Sequence, residues 1–271
     1  MKLLLKEKVR QDCEDAIVVK NVSKYFKIPR EKKRTIYENI LGLFQGNYGY
    51  EEFWALKDID FTVKHGETFG VIGPNGSGKS TLLKILAWVL YPEVGSVKIN
   101  GRLAPFLELG VGFHPDLTAR ENVYLYGSIL GLTRKELKTK YEEIMDFAEL
   151  KRFENVKLRS FSSGMYVRLG FSTAIQANPD IFLLDEVLAV GDEHFQKKCK
   201  DKIEEFKRSG RTIVFVSHDL ESVKKVCKKT MLLSGGRIVA MGETGKVVDE
   251  YLRLVGDPAG KNDPGMKAIA H

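Results

Sequence analysis

The residues most able to do chemistry form one run, Gly73-Pro74-Asn75-Gly76-Ser77-Gly78-Lys79-Ser80-Thr81, between the apolar stretches Thr68 to Ile72 and Leu82 to Val89. Glycines at these spacings let successive amides point inward as an anion nest, and a following helix adds the positive end of its dipole. Lys79 reaches the outer phosphates and the Ser80 hydroxyl can ligate Mg²⁺, so the run reads as a phosphate loop for a nucleoside triphosphate. A second group closes Ile181-Phe182-Leu183-Leu184-Asp185-Glu186, where four apolar residues bury a strand and deliver two carboxylates at its C-terminal end. Open α/β sheets place ligands at that edge. Asp185 is expected to hold Mg²⁺ through water, and Glu186 to orient or deprotonate the attacking water. Ser217-His218-Asp219 ends the apolar stretch Thr212 to Val216, which brings His218 to the same edge for a γ-phosphate contact.

Arg159-Ser160-Phe161-Ser162-Ser163-Gly164-Met165 opens another helix with small polar residues, leaving amides and a helix dipole exposed to an anion. It lies too far along the chain to serve the same phosphate. Its natural ligand is therefore ATP bound by a second subunit.

These groups need a sheet and helices to hold them. Ala16 to Val22 is β-branched, Trp54 to Val63 alternates at period two, and Thr68 to Ile72 is a continuous apolar strand. Residues 27–53, between the first two, read as an insertion carrying a short helix, with Lys27, Arg30, Lys32, Lys33 and Arg34 at its start. It is either a solvated excursion or a basic, aromatic element touching a membrane face or a partner. Thr118-x-x-Glu121 and Thr133-x-x-Glu136 match the capping box, which predicts helices over about Ala119 to Leu130 and Arg134 to Leu150. A third runs from near Ser162 to about Ala177, where Asn178-Pro179 stops it. Lys198 to Ser209 is helical, Thr212 to Val216 a strand, and Met231 to Met241 a hairpin around Gly235-Gly236. Strands alternating with helices mean an α/β core with a helical block inserted in its middle.

Composition narrows the class. A 29% charged fraction beside 43% hydrophobic residues argues against disorder, and the longest stretch free of Asp, Glu, Lys and Arg, Asn122 to Thr133, is too short to cross a bilayer. The opening apolar run is only three leucines, so no secretory signal is expected. Cys13, Cys199 and Cys227 are widely spaced and odd in number, which fits a reducing compartment. The net charge of +7 fits nucleic acid, anionic lipid or simple solubility, and decides nothing.

Phosphate loop, Ser-Ser-Gly-Met signature, Leu-Leu-Asp-Glu strand, Gly191-Asp192 and Ser217-His218 together resemble the ATPase subunits of ABC transporters, over about Ala16 to Leu254. Glu108 to Val123, the run Ser162 to Leu169 and Val187 to Cys199 further resemble the subunits that export bacterial surface polysaccharides, O-antigen exporters of the Wzt type and teichoic-acid exporters. The resemblance implies a P-loop NTPase fold: a RecA-like core, an antiparallel β subdomain and an inserted helical subdomain at about 115–178. Residues 1–255 would be the nucleotide-binding domain and 256–271 a linker or tail, from which the natural chain is expected to continue. Two copies would sandwich two ATP with Mg²⁺, Ser162, Ser163 and Gly164 of one facing the γ-phosphate on Lys79 of the other, and Asp192 bridging the sites. An aromatic stacks on adenine in this family; Phe26 fits that place best, with Tyr25 and Trp54 as rivals. Ser163 and Met165 stand where Gly and Gln are usual, changes the subgroup shares. The family's coupling glutamine has no counterpart between Leu103 and Pro115, and Glu108 is either its stand-in or a surface carboxylate.

The implied protein is the ATP-hydrolysing motor of an exporter of lipid-linked polysaccharide. It would dock on the cytoplasmic face of the inner membrane against a separate permease, with no nucleic acid partner. The alternatives are a motor for another ABC exporter, of teichoic acid, capsule, drug or lipid, or a non-transport ABC ATPase.

Overall fold

A computed structural model describes residues 14–29, 50–106, 110, 112–185 and 192–256. The β-branched start of the chain forms β1 (Asp15–Pro29), which pairs antiparallel with β2 (Tyr50–Lys64) from Asp15↔Lys64 out to Pro29↔Tyr50. Residues 27–29 and 50–53, expected to belong to an insertion, instead extend this ribbon, because pairs such as Phe26↔Phe53 and Lys27↔Glu52 keep the ladder in register. The rest of that expected insertion, 30–49, and the tail 257–271 lie outside the described residues, as do Glu108 and Glu186.

β3 (Thr68–Ile72) leads through the glycine-rich run into α1 (Lys79–Leu86), and β4 (Val94–Ile99) returns to pair with the other edge of β1. Among the described residues the antiparallel sheet runs β2-β1-β4. β5 (Leu103–Pro105), β6 (Ile181–Asp185), β7 (Thr212–Val216), β8 (Lys229–Ser234) and β9 (Arg237–Glu243) join β3 in the second sheet, ordered β5-β6-β7-β3-β8-β9. Its pairs are parallel except β8 with β9, the hairpin marked by Gly235-Gly236. The architecture is the expected α/β core with an antiparallel β subdomain and an inserted helical block.

α1 lies between the two sheets. Its Leu82, Leu83, Ile85 and Leu86 join Val19, Ile59 and Val63 of the antiparallel sheet and Val71, Leu183 and Val214 of the parallel one in a single core. The opposite face of the parallel sheet is covered by α5 (Glu193–Arg208), α6 (Leu220–Val226) and α7 (Thr244–Gly256), through Phe195, Ile203, Phe206, Val223 and Val247. α5 begins five residues before the helix expected at Lys198, because the Asp192 carboxylate caps it by accepting from the Phe195 amide at 2.9 Å. α6, of 7 residues, and α7, of 13, are helices that the sequence pattern does not separate from their surroundings.

The helical block holds α2 (Ala119–Ile129), α3 (Arg134–Ala148) and α4 (Ser163–Gln176). Both capping boxes form: Thr118 and Thr133 accept from the amides of Glu121 and Glu136, whose carboxylates accept back from the two threonine amides at 2.8 Å. Asn122, fully buried in α2, is the block's polar anchor. Its amide nitrogen donates to the carbonyls of His114, Leu117 and Thr118, and its oxygen accepts from the His114 amide at 2.7 Å. Replacing it with leucine takes the acceptor from the His114 amide and removes the side-chain donor that the three carbonyls share. Asn122→Leu is expected to cost about 2–3 kcal/mol by urea denaturation, with the loss confined to the helical block in hydrogen exchange.

Candidate nucleotide site

Everything at this site begins where β3 ends. The chain turns through Gly73 at φ 151°, where a Cβ would sit 2.0 Å from the Leu233 carbonyl oxygen, and enters α1 through Gly78 at φ 105°, where a Cβ would sit 2.5 Å from that of Ala55. Only glycine allows both backbone angles and both approaches. The first helical bond, Leu82 amide to Gly78 carbonyl, follows at 2.9 Å.

α1 has no side-chain cap and no acidic residue in its first turn, whereas α2 to α6 each carry a capping oxygen. Without a capping side chain or a first-turn acid, this helix start can present its amides and dipole to an external anion. Lys79 folds over the loop and donates to the carbonyls of Gly73 at 2.7 Å and Pro74 at 2.9 Å. The Ser77 hydroxyl is buried and has no hydrogen-bond partner among the described residues. A phosphate oxygen would satisfy it, so the loop fits a bound polyphosphate.

Parallel register sets the rest of the edge. Asp185 on β6 pairs with Val216 on β7, and Val216 with Val71 on β3, so the strands end at one level and release Gly73, Asp185 and Ser217-His218 there. β3 and β7 are buried along their whole length, as are the first four residues of β6. Asp185 is half-buried and Ser80 exposed on the first turn of α1. A hydroxyl and a carboxylate are hard oxygen donors that suit Mg²⁺. Among the described residues no group of three or more His, Cys, Asp or Glu is gathered to hold a metal. Such an ion would take its remaining ligands from phosphate and water.

His218 sits on a turn built by its neighbours. The Ser217 hydroxyl accepts from the Asp219 amide at 3.0 Å, and Asp219 caps α6 by accepting from the amides of Glu221 and Ser222. Hydrogen bonds from Ser222 hold the Asp219 carboxyl below the usual carboxylate range. The three candidate aromatics separate into two pairs on the ribbon. Tyr25 and Trp54 pack on each other at 5.1 Å between ring centroids, while Phe26, paired with Phe53, is 38% exposed with Lys24 Nζ 5.8 Å from its ring centre.

Ser162, Ser163 and Gly164 lie elsewhere, on a cleft of about 560 Å³ that Asp192 also lines and to which no residue of the phosphate loop contributes. Ser162 caps α4 through the Met165 amide at 3.2 Å. A Cβ on Gly164 would meet nothing closer than the Ser162 hydroxyl at 3.9 Å, so its own chain leaves that space open. Two residues of the cleft were not anticipated for a role, Glu149 and Arg168. Arg168 bridges the carboxylates of Glu149 and Asp192. Spacing carries no sign of Glu149, which ends α3 with φ 60°, a position where glycine is usual.

A family model described as ABC transporter matches residues 56–189. An O-antigen export system ATP-binding protein, RfbB, of Klebsiella pneumoniae is 47% identical over 200 residues, 74% of this chain and 81% of its own length. A protein of the same description from Myxococcus xanthus is 43% identical over 246 residues, 89% of this chain, which spans just over half, 56%, of that relative. Among solved structures, a dimeric ATP-binding cassette in a post-hydrolysis state bound to ADP and Pi superposes with a TM-score of 0.66 at 25% identity, covering 84% of this chain and 98% of its own.

The glycine geometry is directly testable. Gly73→Ala is expected to weaken binding of a fluorescent ATP analogue at least about 100-fold. Gly245→Ala, with nothing within 4 Å of its added Cβ, leaves affinity at the parental value.

Proposed function

This chain belongs to the ABC transporter family of ATP-binding proteins, and we propose that it is the ATP-hydrolysing motor of an exporter moving a lipid-linked, O-antigen-like polysaccharide across the cytoplasmic membrane. The observation that carries this reading is the sheet edge: an uncapped helix N-terminus on a glycine cradle, beside the strand ends that bear Asp185 and His218. The identities to O-antigen export ATP-binding proteins support the substrate class.

In this mechanism the amides of residues 73–81 and the Lys79 ammonium bind the phosphates, and Phe26 stacks on adenine. Lys79 exchanges its loop carbonyl partners for phosphate oxygens, so the loop needs little rearrangement. Mg²⁺, held by Ser80 and through water by Asp185, would supply charge neutralisation between the outer phosphates. Glu186 orients and deprotonates the attacking water, and His218 contacts the γ-phosphate from the capped turn. The open space over Gly164 and the exposed hydroxyls of Ser162 and Ser163 suit the nucleotide carried by a second copy, with Asp192 between the two sites. ATP thus acts as the adhesive of a head-to-tail dimer, and hydrolysis releases it.

No helix among the described residues is long and apolar enough to cross a membrane. In the proposed reading the translocation path belongs to a separate permease, which this chain meets at the cytoplasmic face, with Glu108 taking the role of the usual glutamine.

Glu186→Gln is expected to bind ATP with parental affinity, hydrolyse it at least about 100-fold more slowly and elute as a dimer with ATP but not with ADP. Hydrolysis at the parental rate would remove Glu186 from the mechanism. Phe26→Ala should weaken ATP binding about tenfold, the loss of one base-stacking contact, while Tyr25→Ala should not. The reverse pattern in equilibrium dialysis would reassign the adenine contact.

A further inference from the structure

α3 ends in a way that local rules disfavour. Glu149 has φ 60° and ψ 34°, a left-handed conformation that glycine or asparagine adopts at helix C-termini and that strains a longer side chain. Strain of this kind persists where the side chain is needed. The Glu149 carboxylate accepts from Arg168 of α4 at 2.9 Å and from Lys198 of α5 at 2.9 Å, and lies 3.5 Å from His194 Nε2. It draws together cations from two helices.

Arg168 is the next link. Its guanidinium is largely enclosed, held on one side by Glu149 and on the other by Asp192, and stacks over the Phe195 ring at 5.1 Å. A planar fork clamped at both ends has one orientation. It joins the N-terminal region of α4, which presents Ser162 to Gly164, to the N-terminus of α5, which Asp192 caps. Both helix starts line the same cleft.

We propose that Glu149 is a positioning residue for ATP hydrolysis: by anchoring Arg168 it sets Asp192 in fixed relation to Ser162, Ser163 and Gly164, so that a second copy meets both helix starts as one preformed surface. The proposal rests on the motor reading above. Lys198 strengthens the anchor by donating also to the Phe147 carbonyl at 2.9 Å, two residues back on α3. The bond and charge of Lys198 and the charge of Arg168 hold the Glu149 carboxyl below the usual carboxylate range.

Glu149→Gly and Glu149→Gln separate this role from a merely structural one. Glycine adopts the left-handed angle without strain, so Glu149→Gly keeps the turn and removes only the carboxylate. Its melting temperature is expected to stay close to the parent's. Exchange of the Phe195 amide, which the Asp192 cap protects, should become about tenfold faster by hydrogen exchange with the nucleotide-free full chain. The kcat for ATP should fall about tenfold with KM changed less than about twofold, since the nucleotide first binds at residues 73–81 of the other copy. Glu149→Gln keeps an acceptor oxygen without the charge and should recover part of kcat; it carries the same test if the glycine variant does not fold. Parental exchange at Phe195, or faster exchange with parental kcat, overturns the proposal. A parent chain that binds ATP without hydrolysing it would overturn the motor reading instead.

Discussion

The fold depends on burying β3, β6 and β7 on both faces. Strands sealed between α1 on one side and α5 and α6 on the other are apolar through their middles, with the polar side chains Thr68, Thr212 and Asp185 at their ends. Polar groups are thereby pushed to the strand ends, and parallel register brings those ends level. The phosphate loop, Asp185 and His218 share an edge for that reason. The same burial fixes the glycines: Leu233 and Ala55 crowd the loop because β8 and β2 pack tightly against its two ends.

The helical block is tied to this edge through aromatic contacts and one buried amide. Phe113 meets Tyr126 of α2 and Tyr166 of α4 edge-on at 5.1 and 5.0 Å, and the Tyr166 hydroxyl donates to the Gly110 carbonyl at 2.9 Å. Burial in this cluster pushes the Tyr126 hydroxyl up to about 12, so it stays protonated throughout the physiological range. Asn122 fastens His114 to Thr118 onto the start of α2. A displacement between β5 and α2 would therefore reach α4, the helix that begins with Ser162.

Charge divides the molecule into two half-sites. α1 begins without an acid or a cap, as a phosphate requires, while α4 and α5 begin under Ser162 and Asp192 and are held together by Arg168. The surface bearing these two helix starts receives nothing from the loop of its own chain. In the proposed reading a site divided in this way is completed by a second copy, and its assembly follows the γ-phosphate.

Much of this was legible along the chain. Glycine spacing after an apolar strand, two capping boxes, Asn178-Pro179 and the Gly235-Gly236 turn each act over a few residues, so local chemistry specified the loop, the helical block and the hairpin. Other features depend on distant partners. The ribbon continues past Phe26 because Phe53 lies opposite, and α5 starts early because Asp192 reaches the Phe195 amide. Phe26 became distinct from Tyr25 and Trp54 only through the face of the ribbon each occupies. Glu149 shows the limit most sharply. By sequence it is an unremarked acid in the last turn of the helix expected to reach Leu150, and its strained turn has a use only because folding brings Arg168 and Lys198, 19 and 49 residues away, to its carboxylate. Local propensity reports what a residue prefers; which charges it must hold is settled by the helices packed around it.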